Sequence, residues 1–140
     1  MASAKAVINL NIPPDEVWQL IGGFGSLPDW QPDIHQSKIT EGGRVRHLDI
    51  RDGQTIVERL EKYDLSARTY SYSVLQAPFP VTGYLATITV TPTNGGKGSH
   101  VEWVGTFTPK GVSDDEAHNL VQGIFADGLK ALTDRYEKKK

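Results

Sequence analysis

Residues 113–136 open with Ser113-Asp-Asp-Glu116 and continue with Ala117, Leu120, Val121, Ile124, Phe125, Gly128, Leu129, Leu132 and Tyr136. Ser followed three residues later by Glu is a capping box, and the apolar residues return at three- and four-residue spacing. The stretch therefore predicts one long amphipathic helix over 114–134. An apolar face this wide cannot stand alone in water and needs a flat partner. The chain ahead of it supplies one, as a series of short alternating strands. If helix and sheet do not close completely, the gap between them is a pocket.

The length, 140 residues, suits a single domain over 1–140, large enough to bury a core without metals or disulfides. With 38% hydrophobic and 23% charged residues the chain has ordinary globular composition. A net charge of −2 argues against a general nucleic-acid binder, which needs a concentrated basic surface. Lys138-Lys139-Lys140 reads as a cation cluster at a helix end. There are no cysteines, so disulfides, thiolate catalysis and cysteine-zinc sites are excluded, and a cytoplasmic location is expected. Met1-Ala-Ser-Ala-Lys-Ala-Val lacks the pattern of a signal peptide, and no apolar run approaches the length of about 20 residues that spans a bilayer.

Ala4 to Ile12 alternates as a first strand, and Pro13-Pro14-Asp15 starts a short helix through Val17, Trp18, Leu20 and Ile21. Gly22-Gly23-Phe24-Gly25 breaks it, as a hinge rather than a phosphate loop, and Ser26 to Trp30 predicts a second short helix. Further strands are expected at Ile34–Thr40, Arg44–Arg51, Thr55–Tyr63, Arg68–Leu75, Tyr84–Thr91 and His100–Thr108. Gly42-Gly43, Asp52-Gly53 and Asn94 to Gly98 are hairpin signals, so these six strands should run antiparallel. The order is strand, two short helices, six strands and a long helix, an α+β domain.

Period-two reading places Tyr70, Tyr72 and Val74 on one face, with Tyr84, Ala86, Ile88 and Val90, and Val101, Trp103 and Phe107. The opposite faces are rich in Ser and Thr and should meet solvent. In Ile56-Val57-Glu58-Arg59-Leu60, an inward Ile56 and Leu60 carry Glu58 inward with them. A buried carboxylate costs several kcal/mol unless it is paired or hydrated. Glu58 is thus the residue that most calls for a functional explanation.

These features together resemble the START-like superfamily with the helix-grip fold, which includes the birch-pollen allergen family, bacterial polyketide cyclase/dehydrase-like proteins and plant abscisic acid receptors. The resemblance covers nearly the whole chain. It is carried by Pro13-Pro14-Asp15-Glu16-Val17-Trp18, Leu27-Pro28-Asp29-Trp30, Val57-Glu58-Arg59-Leu60 with Asp64, Tyr70-Ser71-Tyr72, Tyr84, Trp103, and Phe125 to Leu132. It implies a seven-stranded antiparallel sheet wrapped around the C-terminal helix. By resemblance to the receptor branch, Glu58, Tyr72 and Tyr84 fall on positions that line a cavity. The receptor's Ser-Gly-Leu-Pro-Ala gate is absent, and Ala77-Pro78-Phe79-Pro80 lacks the His-Arg pair of its latch. A hormone receptor of that type is not expected.

A pocket lined by Trp30, Glu58, Tyr72, Phe79, Tyr84, Ala86, Trp103, Val121 and Phe125 suits a small hydrophobic or aromatic molecule bearing a hydroxyl, carbonyl or amine. The leading reading is a binder of such a ligand, acting without a cofactor, as a monomer or homodimer. The rival is a cyclase-, dehydrase- or lyase-type enzyme with Glu58 as general acid or base beside Tyr72 or Tyr84. No nucleophile–base pair is legible, which favours the binder. A chaperone-activator role would need a large apolar outer face, which the Ser/Thr alternation denies. His35, His47, His100 and His118 lie on separate elements without metal-ligand spacing, so no metal is expected; His35, near the pocket end, is the one histidine worth testing.

Overall fold

The computed structural model of the chain describes residues 2–50 and 53–138. Its strands are β1 (Ala2–Leu10), β2 (Ile34–Thr40), β3 (Val45–Ile50), β4 (Thr55–Asp64), β5 (Thr69–Gln76), β6 (Val81–Thr93) and β7 (Gly98–Pro109). Helix α1 (Pro14–Ile21) and a single 3₁₀ turn at Leu27–Asp29 follow β1, and α2 (Asp114–Lys138) comes last. All seven strands form one sheet in the order β1-β7-β6-β5-β4-β3-β2, each neighbour antiparallel. This is the α+β helix-grip arrangement. The tips between β2 and β3 and between β6 and β7 share one conformation. Glu41, Gly42 and Gly43 take φ of 57°, 67° and 96°, and Asn94, Gly95 and Gly96 take 51°, 66° and 89°. Two glycines in each tip make three successive left-handed residues affordable.

Several boundaries differ from the sequence reading, most of all those of β1 and β6. β1 starts and ends two residues early, pairing from Ala2 with Phe107 to Leu10 with Ser99. Ile12 lies past the strand, where its carbonyl accepts the Ser99 hydroxyl at 2.6 Å. β6 begins at Val81 rather than Tyr84, because Gly83 (φ 59°) absorbs a bulge between Thr82 and Leu85 instead of ending the strand. Arg51 and Asp52, half of the Asp52-Gly53 signal, lie outside the described residues, as do Met1, Lys139 and Lys140. On the described side of that turn, the Gly53 N–H donates to the Ile50 carbonyl at 3.1 Å.

The inner and outer faces follow the alternation. Tyr70, Tyr72, Ala86, Ile88, Val90, Val101 and Phe107 are buried against Val121, Phe125, Leu129 and Leu132 of α2. Outside, hydroxyls pair across strands, Ser71 with Thr87 at 2.7 Å and Thr69 with Thr89 at 2.8 Å. α2 begins as its cap directs. The Ser113 Oγ accepts the Glu116 N–H at 3.1 Å, and three acidic residues fill the first turn, where the helix dipole favours them.

The helix is fastened to one side of the sheet. The Gln122 side-chain amide treats β1 as a neighbouring strand would: Oε1 accepts the Lys5 N–H at 2.9 Å and Nε2 donates to the Lys5 carbonyl at 2.6 Å. One turn earlier, His118 Nδ1 donates to the Ser3 carbonyl at 2.7 Å. On β7, Gly105 lets the Phe125 ring approach; a Cβ there would stand 3.1 Å from its Cζ. Gly128 plays the reciprocal part on α2, where a Cβ would fall 2.7 Å from Trp103. Glycine inside a helix costs about 1 kcal/mol relative to alanine, and here that cost permits the Trp103 contact.

Replacing Ser113 with Ala should remove the cap and lower the free energy of unfolding by about 1 kcal/mol, read from urea denaturation. A stability unchanged within error would mean that α2 does not start at this serine.

Candidate functional site

Because α2 is tied to β1 and β7, the other half of the sheet stands away from it. An outer chamber of about 480 Å³ occupies the gap, lined by Gln31, Pro32, Asp33, Ile34, Ile50, Ile56, Phe79, Ile124, Asp127 and Gly128. Deeper lies a chamber of about 70 Å³ whose walls include Leu27, Arg46, Leu48, Glu58, Tyr72, Val74, Tyr84 and Trp103. Gln31, Ile34, Ile56, Phe79 and Ile124 belong to both and form the neck between them. Gln31 is held there by its Nε2, which donates to the Gly128 carbonyl at 3.1 Å.

The polar end of this space is built on paired strands. Arg46 of β3 lies directly across from Glu58 of β4. Both point inward and are buried, 1% and 7% exposed. Arg46 donates from Nε to Glu58 Oε1 at 2.8 Å, its Nη2 stands 2.6 Å from the same oxygen, and Nη1 donates to the Phe24 carbonyl at 2.9 Å. The guanidinium carbon sits 4.2 Å from the centre of the Phe24 ring and 4.8 Å from that of Tyr72. Burial pushes the Glu58 carboxyl above the usual carboxylate range, and the Arg46 guanidinium opposes that rise. For Arg46, burial disfavours the charge, but Glu58 and the neighbouring tyrosines outweigh it and hold the cation. The Gly22–Gly25 break is thus tied to the site through Phe24.

Three irregularities in the ladder curl the sheet around this end. The register shifts between Val57 and Glu58 opposite β5, again between Leu60 and Lys62, and between Thr82 and Leu85 opposite β7. Glu58, Tyr72 and Tyr84 all lie beside one of them. The aromatic groups are in contact. Trp103 Nε1 donates to the Tyr72 hydroxyl at 3.0 Å, and the Tyr72 ring tilts against that of Tyr84 with centres 6.2 Å apart. Burial, and then the Glu58 carboxylate, push the Tyr84 hydroxyl well above its ordinary value, so it stays protonated and able to donate.

Of the residues expected to line a pocket, Glu58, Tyr72, Phe79, Tyr84 and Trp103 meet at the inner chamber. Trp30, Ala86, Val121 and Phe125 are buried in the surrounding core and lie outside the lining of both chambers. Phe125 stacks on Trp103 with ring centres 4.7 Å apart, and Trp30 tilts against the same Trp103 at 5.9 Å. They support the wall rather than form it. His35 is exposed and lines neither chamber. The sequence reading passed over Arg46, Gln31 and Ile124. Arg46 had a signal: Arg46, Leu48 and Ile50 alternate along β3, and the same reading that turned Glu58 inward turns its cross-strand partner inward too.

The pair is a coupled unit, so its members are not equivalent to their separate removals. Arg46→Met should destabilise the fold by about 3–5 kcal/mol by leaving a buried carboxylate unpaired, and combining it with Glu58→Leu should restore most of that loss. Urea denaturation of the single and double variants measures this; losses that simply add would contradict a buried pair.

A model of the family described as "Polyketide cyclase / dehydrase and lipid transport" matches residues 1–137. Among curated proteins nothing matches. The solved structure of the protein XoxI from Bacillus cereus is 56% identical, with a TM-score of 0.93 over 96% of this chain and 95% of that one. A protein from Bacillus thuringiensis is likewise 56% identical, with a TM-score of 0.94 over 96% and 98%. A START superfamily protein from Mycobacterium smegmatis shares the fold at 16% identity, with a TM-score of 0.79 over the whole of both chains. Sheet order, helix placement and family match agree: the chain belongs to the polyketide cyclase/dehydrase and lipid transport family.

Proposed function

We propose that the protein binds a small hydrophobic or aromatic molecule in the space between the sheet and α2. The observation that carries this reading is the graded wall of that space. Ile34, Ile50, Ile56, Phe79 and Ile124 line the wide outer part, and the narrow inner part ends on Tyr72, Tyr84, Glu58 and the Trp103 indole. An apolar cavity of several hundred Å³ with a few converging polar groups is the usual form of a small-molecule site. On the outer face, the Ser71–Thr87 and Thr69–Thr89 pairs present hydroxyls rather than an apolar patch at the middle of the sheet.

The enzymatic alternative, a cyclase, dehydrase or lyase using Glu58, has the burial of that carboxylate in its favour. Two contacts from Arg46 converge on a single oxygen of Glu58, which suits a fixed structural charge better than a group that gives and takes a proton. Binding is therefore the better-supported role.

The neutral solvatochromic dye prodan should bind the native protein with a blue-shifted emission. Ile124→Trp, which places an indole in the neck, should weaken that binding by about 10-fold or more while leaving the circular dichroism spectrum intact. Unchanged dye affinity in a folded Ile124→Trp variant would remove the cavity reading. Native mass spectrometry of protein purified from its own source would then identify what the chambers carry.

A further inference from the structure

The way into the inner chamber passes one polar side chain. Of the five residues that form the neck, Ile34, Ile56, Phe79 and Ile124 are apolar and Gln31 is the exception. Its backbone is fixed on both sides. The Gln31 N–H donates to the Leu27 carbonyl at 2.9 Å, and the Gln31 carbonyl accepts the Ile34 N–H at 3.1 Å. The segment before it is pinned as well, by Arg135 Nη1 of α2, which donates to the Asp29 carbonyl at 2.8 Å, and by Trp30 against Trp103. The freedom left at position 31 is therefore that of the side chain.

That side chain reaches across the neck. Its Nε2 donates at 3.1 Å to the carbonyl of Gly128, which lies one helical turn beyond Ile124 on α2. The amide thus bridges from the start of β2 to the helix, over a residue without a side chain. A Cβ on Gly128 would stand 2.9 Å from Gln31 Nε2 and 3.1 Å from Oε1. The same Cβ would fall 2.7 Å from Trp103, which lines the inner chamber. One glycine seats the amide and the indole together. The bond is also easily opened. As an α-helical carbonyl, that of Gly128 faces the N–H four residues on, and with two lone pairs it keeps this helical partner when the amide leaves. The amide borders the outer chamber, where water can replace the lost contact. Breaking this bond strands no buried polar group, unlike breaking the Arg46–Glu58 pair.

We propose that Gln31 is a gate between the two chambers. Latched on Gly128, its amide closes the neck; swung into the outer chamber, it leaves an apolar passage bounded by Ile34, Ile56, Phe79 and Ile124. This rests on the ligand-binding reading above and adds how the polar end of the space is reached. A latch that closes alike over the empty and the filled inner chamber changes the rates of entry and departure by one factor and leaves affinity alone. A residue that merely contacts the ligand changes departure and affinity together.

Stopped-flow mixing with prodan reads both rates, and the NMR resonance of the Trp103 indole N–H reports arrival at the inner chamber. On the native protein that resonance should shift on saturation with prodan. Gln31→Met keeps the length of the side chain and removes the donor. It should raise the association and dissociation rates together by about 5-fold, the factor that one ordinary hydrogen bond is worth, and change the dissociation constant by less than about 2-fold. Gln31→Glu, ionised at neutral pH and so without a hydrogen to offer Gly128, should do the same, because the latch and not the polarity of the side chain holds the neck shut. Rates unchanged in either folded variant, a dissociation constant that follows the dissociation rate alone, or a Trp103 resonance unmoved by bound prodan would each overturn the gate while leaving a binding cavity in place. Absence of prodan binding to the native protein would overturn the cavity reading along with it.

Discussion

The attachment of α2 to the β1 edge decides where empty space can exist in this molecule. A twenty-five-residue amphipathic helix has to cover a curled sheet of seven strands, and it cannot touch all of them at once. Gln122 and His118 bind it to the backbone of β1, and Gly105 and Gly128 bring it against β7 and Trp103. Closeness on that side becomes a gap on the other, over β2 to β4. The same contacts also deal with the exposed edge of the sheet. Lys5 and Ser3, whose outward backbone groups would otherwise offer a template for another strand, are answered by side chains of the protein's own helix.

The ion pair then sets the chemistry of the wall at the deep end of that gap. Arg46 and Glu58 face each other because β3 and β4 form a hairpin in a register that makes them opposite neighbours. Burying two charges is not a good way to gain stability, and apolar residues of the same volume would often serve as well or better. What the pair provides is a polar wall without net charge, held in place by Phe24 on one side and by the tyrosines on the other. The pair also ties the loop between α1 and the 3₁₀ turn to the sheet, so the loop's position and the chamber's chemistry depend on one contact.

Much of this was legible before any coordinates. The capping serine, the alternation of β5, β6 and β7, and the inward turn of Glu58 each rest on local periodicity, which survives folding when one face is buried. The missed parts have a common physical origin. Bulges are invisible to a strict period of two, so alternation starts this strand at Tyr84, although Gly83 is the kink within it that carries Tyr84 into the site. Depth is invisible as well. Alternation shows that Ala86 and Phe125 point inward, but not that the sheet and helix meet there without a gap, whereas Ile34 and Ile124 border one. Arg46 escapes a reading by residue type because an arginine in a strand is solvated by default, although its hairpin partner Glu58 faces the interior.

The two chambers separate two demands that a single cavity would have to balance. On the binding reading proposed above, affinity for a flat or elongated apolar molecule would come from area, which the outer chamber, walled by isoleucines and Phe79, offers. Selectivity comes from unpaired polar groups, because a buried donor that loses its partner is expensive and a mismatched charge more so. Setting Tyr72, Tyr84 and the ion pair behind a neck of five residues would confine that requirement to a few atoms of a bound molecule, and the neck lies away from the contacts that fasten α2 to β1.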